Sequence, residues 1–284
     1  MSTPDIARVP KTYKLFVGGA FVRSESGRTY SVAGADGSHV AHVAAASRKD
    51  VRDAVEAARA ACAKWAGATA YLRGQILYRV AEVLDGRRDQ FVDELLATGA
   101  AADAAIAVDE VSRAVAAWVW WAGWTDKLAT VLGSVNPVAG PFLNVSHVEP
   151  VGVVALVAAD SHPLLAASHL LGAALAGANT CVLLPSARHP LAPLSLAEVL
   201  ATSDVPAGVT NIASGAHEPL VGWLAEHADV DALDITGVAQ DQRGEVIARG
   251  ASSIQRTSAI GWDASPQAAA AFLEVKTVWH PNRV

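Results

Sequence analysis

The sequence predicts a doubly wound, largely parallel α/β sheet, and three observations carry that expectation. From residue 150 onward, short β-branched runs alternate with helical stretches of about 10–15 residues. The runs at 151–159 and 180–184 are apolar at nearly every position, as strands covered on both faces are. The helical stretches between them are equally apolar and are punctuated by glycine, for example Gly172 and Gly177.

Each element has its own local reason. Tyr13 to Val17, Gly18-Gly19 and Ala20 to Val22 read as a strand, a turn and a strand. Ser47 with Asp50 three residues on has the spacing of a capping box, and Val51, Val55, Ala58 and Cys62 then recur on one helical stripe. Further helices are predicted at 71–84, 88–98 and 103–128. The last carries Trp118, Trp120, Trp121 and Trp124, which cannot share one helical face. The α/β rhythm then predicts strands at 151–159, 180–184, 208–213 and 232–235, with helices at 164–176, 193–202 and 218–226 between them. Residues 142–148 and 272–279 read as extended but stand outside this rhythm. Two isolated strands make a marginal pair and need a packing partner.

Composition narrows the function classes. The chain has 284 residues, 52% apolar and 18% charged, which excludes disorder as the main state and suffices for a large core. Its apolar runs are shorter than the roughly 18–20 residues of a membrane span, and the first ten residues lack an apolar signal core, so a cytoplasmic protein is expected. A net charge of −6 gives no support for nucleic-acid binding. The two cysteines, Cys62 and Cys181, form neither a disulfide framework nor a zinc pattern, and the nine histidines are scattered.

Several segments together resemble the NAD(P)-dependent aldehyde dehydrogenase superfamily. Glu149-Pro150-Val151-Gly152-Val153-Val154 resembles the strand leading to that family's nucleotide site. The stretch 172–183 is similar to its next helix and strand, and Val205-Pro206-Ala207-Gly208-Val209-Thr210-Asn211 to its "LPPGVVN" segment. His227-Ala228-Asp229-Val230-Asp231 with Ile235-Thr236-Gly237 resembles "HPDVD…FTG". Phe16-Val17-Gly18-Gly19, Ala97-Thr98-Gly99 and Ala122-Gly123-Trp124 also match. The resemblance is collinear over roughly 11–256. It then jumps: Leu273-Glu274-Val275-Lys276-Thr277-Val278 is similar to the family's last strand, which joins its oligomerisation sheet. The resemblance implies a Rossmann-like sheet with an N-terminal helical region and a small β oligomerisation arm. It divides the chain into 11–135, the N-terminal hairpin and helices; 136–149, an oligomerisation segment; 150–262, the Rossmann-like part; and 263–284, a linker and terminal oligomerisation strand. The intervening catalytic lobe, with its nucleophilic cysteine, is replaced by about a dozen residues.

The family chemistry needs a thiolate, an oxyanion donor, a carboxylate base and a nicotinamide. Cys62 and Cys181 match no nucleophile motif and read as core residues. Ser161 stands where the resemblance places the oxyanion-binding Asn. With Asp160 it is expected to cap the next helix; a hydrolase triad of Asp160, Ser161 and His162 is disfavoured by their adjacency. The segment expected to carry the base reads Ser258-Ala259-Ile260-Gly261-Trp262, with no carboxylate before Asp263. Leu184 and Ala187 replace the family's ribose-binding Lys and Glu. Gly237 survives in the phosphate loop, but Val238 replaces its Ser and Asp241 adds a negative charge. At about 1–3 kcal/mol per unmade bond, these losses amount to roughly two decades of affinity. The expectation is therefore no bound cofactor, with weak NAD(P) binding as the alternative, and no catalytic residues. The chain is expected to be a structural or regulatory subunit. It would associate with itself or with a complete dehydrogenase through Phe142, Val145, Val148, Leu273, Val275, Thr277 and Trp279. The alternatives are a degenerate NAD(P)-binding subunit whose partner supplies the thiol, and a metabolite sensor.

Overall fold

A computed structural model of the chain describes residues 11–261 and 264–282. The readings that fall on residues 1–10, Trp262 and Asp263, including the boundary at 262–263, lie outside the described residues.

The chain begins with five short strands, β1 (Thr12–Tyr13), β2 (Leu15–Val17), β3 (Ala20–Val22), β4 (Thr29–Ala33) and β5 (His39–Ala44). The predicted first strand therefore breaks at Lys14: β1 pairs with β5 in a small sheet, whereas β2 joins the main one. The β4–β5 hairpin was not anticipated, because its alternation is interrupted by a bulge at Val32/Ala33. Helices α1 (Arg48–Ala66), α2 (Ala70–Asp85), α3 (Arg88–Ala97) and α4 (Ala104–Trp124) follow. Both halves of the Ser47–Asp50 capping box are formed. The predicted helix 103–128 ends at Trp124, and α5 (Leu128–Leu132) is separate. Of the four tryptophans, Trp118 and Trp121 are fully buried, and the exposed Trp120 packs its ring against Trp124 at 5.7 Å.

After β6 (Ser134–Asn136) and β7 (Phe142–Pro150) come β8 (Val153–Val157), α6 (Pro163–Ala176), β9 (Thr180–Leu184), α7 (Leu191–Ala201) and β10 (Thr210–Ile212). Then follow α8 (His217–Ala225), β11 (Ala232–Asp234), α9 (Arg243–Gly250) and β12 (Arg256–Ser258). The main sheet has the order β12-β11-β8-β9-β10-β2-β3; its first five strands are parallel. Alternate residues of one strand feed two cores. Val154 and Leu156 of β8, with Cys181 and Leu183 of β9, pack on the α4 and α6 side. Val153, Ala155, Val157, Val182 and Leu184 pack with α1 and α8 on the other. That division is the physical content of a doubly wound fold. Every residue of α6 is buried and, apart from Ser168 and His169, the helix is apolar all round, as suits a central helix. Gly172 lets α6 approach α4, because a Cβ there would overlap the Trp121 ring.

Finally α10 (Pro266–Ala270) leads into β13 (Leu273–Pro281), which pairs with β7 antiparallel over nine residues, and β6 completes a three-stranded arm. The two extended segments that stood outside the α/β rhythm are thus each other's partners.

Candidate functional site

The strand order reverses around β8: β9 and β10 extend to one side, β11 and β12 to the other. In open α/β sheets, ligands bind outside the carboxyl ends of the strands at this switch point. Here those ends carry Ala158 to His162 after β8, Pro185 to His189 after β9, and Ile235 to Val238 after β11.

The turn after β8 opens outward, with Asp160, Ser161 and His162 exposed. His162 adopts the left-handed region (φ 49°, ψ 60°) and immediately precedes α6. Neither Asp160 nor Ser161 caps that helix, contrary to the sequence expectation. Glu110 of α4 does so instead: its carboxylate accepts from the backbone N–H groups of Leu164 (2.8 Å) and Leu165 (3.3 Å). Glu110 lies on the buried stripe Ala107, Glu110, Val111, Ala114, Trp118, Trp121. Burial raises its carboxyl to about 6, only partly offset by those two backbone bonds. An acid set on an apolar helical stripe was the signal for this role, and sequence reasoning passed over it.

Asp160 turns toward the neighbouring loop. Buried Ser186 donates its hydroxyl to Asp160 Oδ1 (2.6 Å) and accepts from the His189 N–H (2.8 Å), tying the loops after β8 and β9 together. His189 Nδ1–H donates to Thr98 O (3.1 Å), and burial, followed by the charge of Arg188, holds the ring's pKa below its ordinary value. His217 Nε2–H donates to Pro185 O (2.7 Å). Leu184 is wholly buried beneath this loop, whereas Ala187 is half-buried at its surface.

On the β11 side, Gly237 donates its N–H to Val157 O (2.8 Å), and a Cβ there would overlap Ala158 O. The two loops meet so closely that only glycine fits. Val238 is buried in the α1/α8 core. Asp241 is exposed. The sequence reading missed Arg243, whose guanidinium folds over this turn and donates to Val238 O (3.1 Å) and Thr236 O (3.2 Å). It fixes a positive charge beside the loop that Asp241 makes more negative. A lone Arg at a helix start offers no sequence signal for this. Buried Asp234 braces the same turn, accepting from Thr236 N, Ser258 Oγ and Ile260 N at 2.8–3.0 Å.

Ser161, Ala187, Gly237 and Val238 therefore sit at the carboxyl ends of the adjacent strands β11, β8 and β9, with Leu184 beneath them. No thiol joins them. Cys181 is the second residue of β9, with burial pushing its thiol pKa far up, and half-buried Cys62 is on α1. Among the described residues, no group of three or more His, Cys, Asp or Glu is placed to hold a metal ion. No described helix is long and apolar enough to cross a membrane.

In the arm, Leu273 is buried with Phe272 in the main core and anchors β13. Val148 and Val145 are half-buried, while Phe142, Val275, Thr277 and Trp279 are exposed. Trp279 packs edge-on against Phe142 at 5.9 Å, and Asn136, Asn144, Ser146 and Thr277 form a hydrogen-bonded ladder across the three strands.

The sequence pattern of the aldehyde dehydrogenase family matches residues 21–277. The 2-hydroxymuconic semialdehyde dehydrogenase of Pseudomonas sp. (strain CF600) is 37% identical over 247 residues, 85% of this chain and 50% of that protein. The NAD+ complex of an aldehyde dehydrogenase from Bacillus cereus is 28% identical with a TM-score of 0.81, covering 87% of this chain and 50% of that one. PnpE in complex with nicotinamide adenine dinucleotide is 32% identical with a TM-score of 0.80, covering 86% and 50%. The chain thus spans about half the length of the relatives it matches. The two complexes overturn the expectation of no cofactor, because relatives with this backbone bind the dinucleotide. The lost side chains alone are a poor guide, because the close-packed backbone at Gly237 and the charge of Arg243 beside it exist only in the folded chain. On its fold, its strand order and these matches, the chain belongs to the aldehyde dehydrogenase family.

Proposed function

We propose that this chain is a nucleotide-binding subunit of the aldehyde dehydrogenase type that does not oxidise aldehydes by itself and serves an assembly as a structural or regulatory component. One observation carries the reading. Between the last strand of the main sheet, β12, and the arm strand β13 there are only residues 259–272, and α10 is the one helix described among them. A domain needs on the order of 50 residues or more, so no thiol-bearing lobe is inserted at that point. Both cysteines lie away from the crevice, and neither is placed to attack a carbonyl there.

The residues present fit an NAD(P) molecule through backbone rather than side chains. The Gly237 turn, with Arg243 laid over it, would face the pyrophosphate, and the open turn from Ala159 to His162 leaves room beside it. Ala187 and Leu184 offer the ribose no charged partner. A bound nicotinamide would supply a hydride acceptor. This chain's own contribution is to bind and orient the dinucleotide.

Titrating NAD+ and NADP+ into the purified chain, followed by the fluorescence of its eight tryptophans, tests the binding half. Saturable quenching is expected at up to millimolar cofactor, and its absence would remove that half. The same sample with a panel of aldehydes is expected to produce no reduced cofactor. Steady turnover by the pure chain would overturn the non-catalytic half. Co-expression with a complete family member, followed by sizing, tests the association.

A further inference from the structure

The hairpin of β4 and β5 carries a pair of imidazoles. In a regular strand His39 and His42, three residues apart, would point to opposite faces of the sheet. The irregularity at Val32/Ala33 prevents this. His39 pairs with Ala33, Ala41 with Val32 and His42 with Ser31, so Val40 is the extra residue of a bulge. Ser31 and Ala33, two apart on β4, share a face, and His39 and His42 across from them share it too. That face is open: Ser31, Ala33, His39 and His42 are exposed, whereas Val32, Ala41 and Val43 are buried beneath them.

The two rings are in contact, with centroids 4.5 Å apart and planes at 45°. Metal–imidazole bonds are about 2.0–2.1 Å, so two imidazoles in neighbouring positions of a square-planar or octahedral ion, at about 90°, have ring centres about 4.5 Å apart. At the tetrahedral angle the centres would be about 5.2 Å apart. The observed spacing matches the first geometry. Ser31 Oγ lies 2.7 Å from His39 Nδ1. With the hydroxyl oxygen accepting from Nδ1–H, Nε2 keeps its lone pair, and metal-ligating histidines are characteristically held in this way by a second group. Neither ring has a further hydrogen-bond or ion-pair partner among the described residues.

We propose that His39 and His42 form a two-imidazole chelate for a late first-row divalent ion, Cu2+ first and Ni2+ next, with water in the remaining positions. Imidazole suits both ions, the affinity of a nitrogen site rises along the series to Cu2+, and both ions take tetragonal geometry. The bulge builds the site, because it alone turns both rings to one face. The site lies on the small sheet, apart from the nucleotide crevice, and does not depend on the role proposed for the chain. The test is a titration of the untagged full chain with Cu2+ alone in a non-chelating buffer, followed by calorimetry and electron paramagnetic resonance. One tight equivalent is expected, with nitrogen couplings from two imidazoles, and Ni2+ is expected to compete for it more weakly. That spectrum is recorded on the wild type and needs no variant to fold. Both histidines are exposed, so His39→Ala and His42→Ala are expected to keep the wild-type circular dichroism, and each is expected to weaken the tight equivalent at least tenfold. The double variant H39A/H42A is expected to lie within about threefold of the singles, because a chelate is lost with its first arm. Retention of the tight equivalent in either single variant or in the double variant would overturn the proposal. Couplings from fewer than two imidazoles in the wild type would do the same.

Discussion

The floor and the rim of the crevice obey different rules. The floor consists of β8, β9 and α6, buried at every position, and it retains the apolar, close-packed residues that the family resemblance leads one to expect. The rim consists of the loops beyond those strands. There Ala187 stands half-buried where the family resemblance leads one to expect a charged side chain, while Leu184, at the end of β9, and Val238 are buried where it leads one to expect a lysine and a serine. A floor residue touches neighbours on all sides, so a change in volume is felt at once. A rim side chain such as Asp160, Ser161 or Ala187 is open to solvent, so it can change with little effect on the fold. On the proposed reading, binding and fold are separable: backbone shapes the crevice, while side chains would set its affinity.

This contrast breaks most severely in the floor. Trp121→Ala removes a fully buried ring that fills the space left by Gly172, and is expected to cost about 3–5 kcal/mol, read as a lowered midpoint in urea unfolding. A middle-sized effect tests the joint between floor and rim. Glu110 is an acid with a raised pKa, so the folded state binds its proton more tightly than the unfolded state. Its contribution is therefore most favourable below the ordinary glutamate range and is lost as pH rises through about 6. Relative to Glu110→Gln, the wild type should lose about 2 kcal/mol between pH 4 and pH 7, measured as the difference between the two unfolding curves. A pH-independent difference would show that the buried carboxylate is not what titrates. Within the rim, Arg243→Ala is expected to weaken NAD(P) binding about tenfold in the fluorescence titration while shifting the unfolding midpoint little. The smallest effect expected is Ser186→Ala, at about 1 kcal/mol, from the lost tether to Asp160. If Ser186→Ala proved as costly as Trp121→Ala, the distinction between floor and rim would collapse.

Much of this was legible in the residues. The buried runs of β8 and β9 announce themselves because a strand with one face in solvent is not apolar at four or five consecutive positions. The capping box at Ser47 is local chemistry spanning four residues. The β4–β5 hairpin escaped notice because its bulge spoils the period of two, and α4 stopped short of the predicted helix because α5 starts anew after Trp124. In the site, Gly237 and the positions around it could be placed in sequence, whereas Glu110 and Arg243 could not be given their roles. The helix that Glu110 caps lies 54 residues away, and the carbonyls that Arg243 holds belong to a turn whose shape the local sequence does not encode.

Period, apolar runs and glycine spacing were enough to specify a parallel sheet wrapped by helices, because those signals report burial, and burial is averaged over many neighbours. The helix capped by a distant acid, the arginine folded over the Gly237 turn, and the pairing of β7 with β13 came only from the folded chain. Each depends on a single contact between residues far apart in sequence, and such a contact exists only once packing has brought both partners to the same place.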